Sequence, residues 1–197
     1  SELLFSYNLQ NRPEFHRRVL TAAWRYHWSM SKKKSSFRYD FLDINYVYMP
    51  WISATFKKEY LDDVSNRNAI LRYNYEDIFI LRTGLNYSFS DSKNALRSNI
   101  EVGGNLLYAI SNLFGEKRNA QNQYTLFKIA YAQYVKGDFD YTRLVKIDTK
   151  NTLALHFGLG IAYPYGNSTI LPFEKRYFSG GANSVRGWNV RALGPGK

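Results

Sequence analysis

The residue types that most often carry bond chemistry are few in this sequence, and their spacing is poor for it. The chain has 197 residues and no cysteine, which excludes disulfides, thiol nucleophiles and thiolate metal sites. Its histidines, His16, His27 and His156, are far apart, and none lies two or four residues from another. The acid pairs Asp62–Asp63 and Glu76–Asp77 have no identifiable third partner for acid/base work. We therefore expect no enzyme, no metal site and no cofactor.

One ordered string has residue types suited to docking. It runs from Phe173 to Trp188 and reads FEKRYFSGGANSVRGW. Glycines permit positive φ and close backbone approach, and an Asn-Ser pair favours a turn. An arginine offers five donors in a planar fork and stays charged when it leaves water. The candidate site is Gly180, Gly181, Asn183, Ser184, Val185, Arg186, Gly187 and Trp188.

This string resembles the lid loop of the BamA/TamA family of outer-membrane assembly β-barrels. The signature of that loop is Val-Arg-Gly followed by an aromatic residue, which matches Val185 to Trp188, with tryptophan in place of the usual phenylalanine or tyrosine. The approach 172–178 and the exit 191–196 look closest to the TamA-like branch, including its TamL lipoprotein form. The resemblance implies that the loop folds back into the barrel and that Arg186 docks on an inner-wall strand that follows the loop. No such strand is present before Lys197.

The rest of the chain alternates with a period of two, which predicts β-strands with one apolar face. In the best example, large apolar residues from Leu153 to Tyr163 share one parity, and the other parity is small and mildly polar. Seven strands are predicted: 2–9, 18–30, 36–48, 70–89, 94–110, 131–147 and 151–163. Within the fifth strand, Gly103-Gly104 indicates a bend or a close approach. The histidines are read as one loop residue, His16, and two residues on the polar face, His27 and His156.

Connection lengths and aromatic residues favour a membrane barrel. Short turns (31–35, 90–93, 148–150) alternate with longer connections (49–69, 111–130 and the segment after Pro164), and 10–17 is intermediate. Outer-membrane barrels show short periplasmic turns and longer external loops. Aromatic residues near strand ends suit the membrane interfaces: Trp24, Trp28, Tyr46, Tyr48, Tyr87, Tyr108 and Tyr163.

The predicted fold is all-β: an antiparallel transmembrane β-barrel that is incomplete, with about seven strands of a larger, sixteen-stranded barrel. An odd set of seven strands would leave two open edges in hydrocarbon, so further strands are expected outside this sequence. We divide the chain into 1–163, barrel strands and loops, and 164–197, an extracellular lid loop that folds into the lumen.

The net charge of +11 does not point to nucleic acid. Lys32 to Lys34 is the single tight basic run, and serines flank it where a nucleic-acid site would place stacking aromatic residues. The other basic residues are spread along alternating segments, which is typical of one wet face. No nucleic-acid partner is expected.

The resemblance implies an outer-membrane factor of a Gram-negative bacterium that inserts or translocates outer-membrane proteins. Its expected partners are outer-membrane lipid, client outer-membrane proteins and a periplasmic or inner-membrane component of the assembly machinery. Two alternatives stay open: a passive channel or two-partner-type secretion pore of the same superfamily, and a soluble β-rich binding protein with its apolar face inward.

Overall fold

The computed structural model describes residues 1–30, 34–61, 75, 77–114, 118–119, 122–126, 129–180 and 185–188. Nine strands form among these residues: β1 Glu2–Asn11, β2 Phe15–Met30, β3 Ser35–Ile52, β4 Ile78–Ser90, β5 Asn94–Gly103, β6 Thr125–Leu126, β7 Ile129–Ala130, β8 Tyr134–Lys146 and β9 Thr152–Pro164. Helical pieces are α1 Ala54–Phe56, a π-helical turn Lys57–Leu61, α2 Asn105–Leu113 and a 3-10 turn Phe173–Lys175.

Seven strands form one antiparallel sheet in the order β1-β2-β3-β4-β5-β8-β9. All neighbours pair antiparallel, as a meander of local alternation requires. The predicted all-β, partial-barrel fold is confirmed, and the sheet is not closed. Each strand of this sheet has ten or more residues, enough for the ~9–11 that a tilted membrane-spanning strand needs. Within the described residues, no helix has the length and apolar character to cross a membrane.

Two of the short turns use the same four-residue device. In Asp91-Ser-Lys-Asn94 the carboxylate Oδ1 accepts the backbone N–H of Lys93 at 2.7 Å and of Asn94 at 2.6 Å. In Asp148-Thr-Lys-Asn151 the corresponding distances are both 2.7 Å. The bonds from Lys93 and Asn94 lower the pKa of Asp91, and the bonds from Asn151 and Lys150 lower the pKa of Asp148, because they stabilise the ionised form.

Four sequence predictions differ from the structure. The fifth strand ends at Gly103, not at 110, because Gly104 turns with φ 77° and α2 begins at Asn105; Tyr108 therefore lies on a helix and not at a strand end. The fourth strand begins at Ile78; residues 70–74 and 76 of that prediction lie outside the described residues. The connection read as 10–17 is a tight turn at 12–14, where Arg12 N–H bonds Phe15 O. His16 is a strand residue whose ring lies 5.0 Å from that of Trp51.

The alternation sorts the side chains as predicted, with one exception in β3. Phe37, Tyr39 and Phe41 are apolar at odd positions, whereas the apolar positions from Leu42 onward are even. The register explains the change: Asp40 is opposite Gly84 and Asp43 is opposite Arg82, so three steps on β3 match two on β4. Phe41 is the extra residue of a β-bulge. The bulge brings Asp40 and Asp43 to the same polar face.

Apolar residues pack in two places near the long connections. On the apolar face, Phe79 and Leu81 of β4 form a cluster with residues from the excursion between β5 and β8: Tyr124, Ile129 and Tyr131. On the polar face, Ile80 packs with Ala132 and Tyr134, and with Leu171 from the segment after β9. The second cluster holds the segment after β9 against the polar face, through Leu171.

Candidate functional site

A chain of ion pairs crosses the middle of the polar face. Arg82 of β4 lies between two acids, Asp43 of β3 and Glu101 of β5, and hydrogen-bonds both. Arg25 of β2 reaches Asp43 at 3.4 Å. The side chain of Asp40 is fully buried between Arg25, at 3.6 Å, and Arg38, at 3.2 Å. Charges of both signs therefore lie paired on one face across four strands.

The segment Glu174–Tyr177, which we call the strap, lies across this face. At one end Glu174 accepts hydrogen bonds from Arg17 of β2, at 3.2 Å, and from Asn45 of β3, at 2.9 Å. At the other end the Tyr177 hydroxyl donates to the Asp138 carboxylate and to Gly137 O, both on β8. The strap thus connects the two sides of the sheet through side chains.

The middle of the strap is fixed on Glu101. Lys175 Nζ lies 3.1 Å from Glu101 Oε1, and the Tyr134 hydroxyl donates to the same oxygen at 3.0 Å. Burial lowers the pKa of Lys175, and the neighbouring charge of Arg82 lowers it further, against the attraction of Glu101. Glu101 therefore accepts hydrogen bonds both from the strap and from the strands of the sheet.

Gly160 of β9 makes room for the strap. A Cβ built on Gly160 would lie 2.6 Å from Cζ of Tyr177, so the tyrosine ring rests directly on this glycine. The ammonium of Lys136 on β8 lies 4.3 Å from the centroid of the same ring, within cation–π range. Burial and the bond to Asp138 raise the pKa of Tyr177. The sequence shows mostly small residues at every second position of β9, and at Gly160 this small size lets the tyrosine ring pack against the strand.

The strap leaves part of the polar face uncovered. A cavity of about 450 Å³ lies toward the short-turn end, lined by polar and charged side chains from β2 to β8. Its lining includes His27, Arg38, Arg97, Asn99, Asp138 and Asp140. His156 lies on the same face, 3.1 Å from Asp140. The polar-face placement predicted for His27 and His156 is therefore confirmed.

A model of the Omp85 superfamily domain matches residues 15–197. The chain belongs to the Omp85 superfamily. No curated protein is similar enough to the chain to count as a match. In general terms, membership implies insertion or translocation of outer-membrane proteins, together with client and partner proteins, and the bacterial outer membrane is the typical location of the domain. Proteins of this superfamily are transporters or assembly factors.

The structure describes five of the eight candidate residues of this Omp85 chain. Gly180 is buried and has φ 98°, the positive φ for which a glycine is expected. The segment Val185–Trp188 forms an exposed turn in which Trp188 N–H bonds Val185 O at 3.1 Å. A Cβ on Gly187 would have no neighbour within 4 Å, so the close approach expected there is not observed between described residues. Gly181, Asn183 and Ser184 lie outside the described residues.

The sequence named the residues of the polar face but not their partners. Asp43, Arg82 and Glu101 all have the polar parity of their strands. The missing information is the register between strands and the position of the strap, since each contact joins residues far apart in sequence. The sequence did contain one signal for the strap. Segment 174–177 lacks alternation and places a lysine and a tyrosine close to an acid.

Proposed function

We propose that the chain is the barrel wall and lid segment of a BamA/TamA-type factor, nearest to the TamA-like branch, that inserts or translocates outer-membrane proteins. In this proposal the polar face of the sheet lines the lumen. Residues 164–197 form the lid loop, and the strap fixes the beginning of that loop to the lumenal wall. Client proteins and a periplasmic or inner-membrane component are the proposed partners.

The observation that carries the proposal is the strap itself. A solvent-exposed external loop has no reason to place polar contacts on strands as far apart as β2 and β8. Buried ion pairs need good geometry to offset desolvation, and Lys175 meets Glu101 where Arg82 and Tyr134 already complete the group. This arrangement supports a loop held inside a polar lumen.

The proposal assigns docking of the lid to Arg186. Its receptor is expected on a strand that follows the lid, beyond Lys197. The strap would deliver the turn Val185–Trp188 toward that receptor, since only seven residues separate Tyr177 from Val185. The strap and Arg186 are then two successive anchors of one loop.

The test compares Arg186→Ala with wild type in the full-length protein reconstituted in liposomes. We expect client insertion to fall while the barrel remains folded, because the strand pairing that forms the sheet does not involve Arg186. Wild-type client insertion by a folded Arg186→Ala protein would refute the assignment of this residue.

The second candidate function is a passive channel or secretion pore of the same superfamily. The polar cavity beside the strap favours it, since an uncovered polar trough suits a water-filled path. Planar-bilayer conductance separates the two functions. A pore predicts that Arg186→Ala raises conductance and that the wild type does not accelerate insertion of any tested outer-membrane client.

A further inference from the structure

The chain leaves the wall between β5 and β8 and returns to it, and we call residues 104–133 the excursion. Gly104 turns out of the sheet, and its N–H bonds Leu81 O at 2.8 Å. On the return, Ala132 N–H bonds Phe79 O at 3.0 Å, beside a parallel bridge from Tyr131 to Phe79. The first residues of β4 extend beyond the end of β5. Their backbone carbonyls are thus bonded by both ends of the excursion.

The excursion packs on the apolar face of the wall. Leu107 and Tyr108 of α2 and Leu126 of β6 contact the cluster of Phe79 and Leu81, which also includes Leu42, Ile44 and Tyr46 of β3. In a barrel with a polar lumen this is the outer face, toward lipid.

The helix α2 presents a second apolar stripe that is exposed on the surface of the described chain. Leu106, Ile110 and Leu113 follow at spacings of four and three residues, so they share one side of the helix. Leu113 is 80% exposed and Phe114, which ends the helix, is 76% exposed. Leu107 and Tyr108 face the wall. The helix therefore has two apolar sides, one packed on the wall and one open.

The polar side of α2 is held at the end of the sheet where the long connections lie. Asn105 accepts hydrogen bonds from Gln133, at 2.9 Å, and from Tyr165, just beyond β9, at 2.6 Å. Asn112, seven residues from Asn105, shares that side and is exposed. The open stripe lies on a different side of the helix from these two asparagines.

Asn167 fixes the excursion as part of the wall. It is 4% exposed, its side-chain amide donates to Tyr124 O and Tyr131 O at 2.9 Å each, and its Oδ1 accepts from Tyr124 N–H at 2.6 Å. These bonds hold the return of the excursion in a defined place on the sheet.

We propose that α2 is an interfacial helix whose stripe Leu106–Ile110–Leu113, with Phe114, inserts among the acyl chains of the outer leaflet beside the barrel wall. The inference goes beyond the proposed function but rests on its orientation of the wall, with the apolar face toward lipid. Apart from the side packed on the wall, α2 has one open apolar side and one polar side. A helix with such a pair of sides lies in the plane of the membrane interface, and its binding grows with the apolar area that it buries. The occupant is lipid because the helix is packed on the apolar face of the wall, which the proposed function turns toward lipid, and because the stripe carries no charge.

The test uses nitroxide labels on single cysteines, which are the only thiols that this cysteine-free chain would contribute. Three positions are compared in the full-length protein in liposomes: Leu113→Cys on the stripe, Asn112→Cys on the polar side and Leu155→Cys on the wall strand β9. The quantity measured is the accessibility of each label to oxygen, which concentrates in hydrocarbon, relative to a water-soluble nickel complex.

We expect the oxygen-to-nickel ratio to be several times higher at residues 113 and 155 than at residue 112. A high ratio at 155 with a low ratio at 113 would overturn the interfacial helix and leave the barrel orientation standing. Low accessibility of the 113 label to both agents would mean that protein covers the stripe, from a client or a second copy, and would also overturn it. A low ratio at 155 would overturn the orientation of the wall, and the helix proposal with it.

Discussion

At the scale of single residues, Glu101 joins three partners in one buried group. Its carboxylate meets the guanidinium of Arg82, the ammonium of Lys175 and the hydroxyl of Tyr134, and its own side chain is 4% exposed. Removing one member of a buried charged group leaves the others desolvated and unpaired, which costs more than the lost bond. The identity of the residue is visible in the sequence, but its role depends on three partners from 19 to 74 positions away.

The substitution Glu101→Gln should lower the free energy of unfolding by roughly 1–3 kcal/mol, because Arg82 and Lys175 keep their charges and lose a carboxylate. Denaturant unfolding of the folded protein in detergent measures this change. The control is Glu174→Gln, which breaks a half-exposed pair with Arg17 and should cost no more than ~1 kcal/mol. Equal stability of the two variants would show that the Glu101 cluster has no special weight.

The substitution Gly160→Ala should loosen the strap without changing any residue of the strap, since the new methyl would overlap the ring of Tyr177. Trypsin reports on this directly, because the strap contains Lys175 and Arg176. Cleavage after these residues should be faster than in wild type. In the control Gly137→Ala the methyl has its nearest neighbour at 4.0 Å, and cleavage should stay at the wild-type rate. The same cleavage rate in both variants would contradict the packing of the Tyr177 ring on Gly160.

At the scale of elements, alternation predicted the seven strands well and missed the helix α2 for a definite reason. Leu106 and Tyr108 continue the parity of Ile100 and Val102, so a period of two runs across Gly103-Gly104. The helical spacing of Leu106, Ile110 and Leu113 is present in the same letters. Two features make this segment a helix. The positive φ of Gly104 ends the strand, and the helix packs on the apolar cluster. Tertiary contacts decide between two periods that a short sequence supports equally.

The bulge at Phe41 leads to a prediction about deletions. Removing Phe41 should leave a regular strand in which Asp40 and Asp43 still share the polar face. The protein should therefore fold, with the loss of the ring contacts of Phe41 to Trp24 and Tyr39. Removing Ile44, three residues on, should reverse the faces of one part of β3 and prevent folding. The yield of folded, heat-modifiable protein in detergent distinguishes these results. If both deletions fold equally well, the register between β3 and β4 is incorrect.

At the scale of the whole molecule, the sequence indicated a sheet with one polar face. The register and the strap add that the charged groups of this face are paired with one another and partly covered. The aromatic residues support two interfaces. Trp28 stacks on Phe37 near the short turns, at 5.4 Å, and Tyr46 stacks near Tyr48 toward the long connections, at 6.4 Å. Alternation alone is equally compatible with a soluble sandwich, so the faces need a direct test.

Single cysteines at Asn99 and Leu155 provide that test in liposomes. Asn99 lines the polar cavity, and its thiol should react with a charged, membrane-impermeant reagent. Leu155 lies on the opposite face, is 51% exposed in the chain, and should be protected by lipid. Labelling is measured by mass shift, with denatured protein as the reference for full reaction. Protection at 99 or reaction at 155 would contradict this orientation of the faces. A soluble sandwich would give the same labelling pattern but would stay in solution without liposomes or detergent, which sedimentation distinguishes.

The strap on the lumenal wall is proposed to position the lid of a protein-inserting barrel. The decisive quantity is the rate at which a client outer-membrane protein folds into liposomes that contain the full-length protein as Gly160→Ala or as Gly137→Ala. Both variants should contain folded barrel in equal amounts. We expect insertion to fall in Gly160→Ala and to stay at the wild-type rate in Gly137→Ala. Equal, wild-type insertion by both variants, with the strap of Gly160→Ala shown to be cleavable, would contradict this role of the strap.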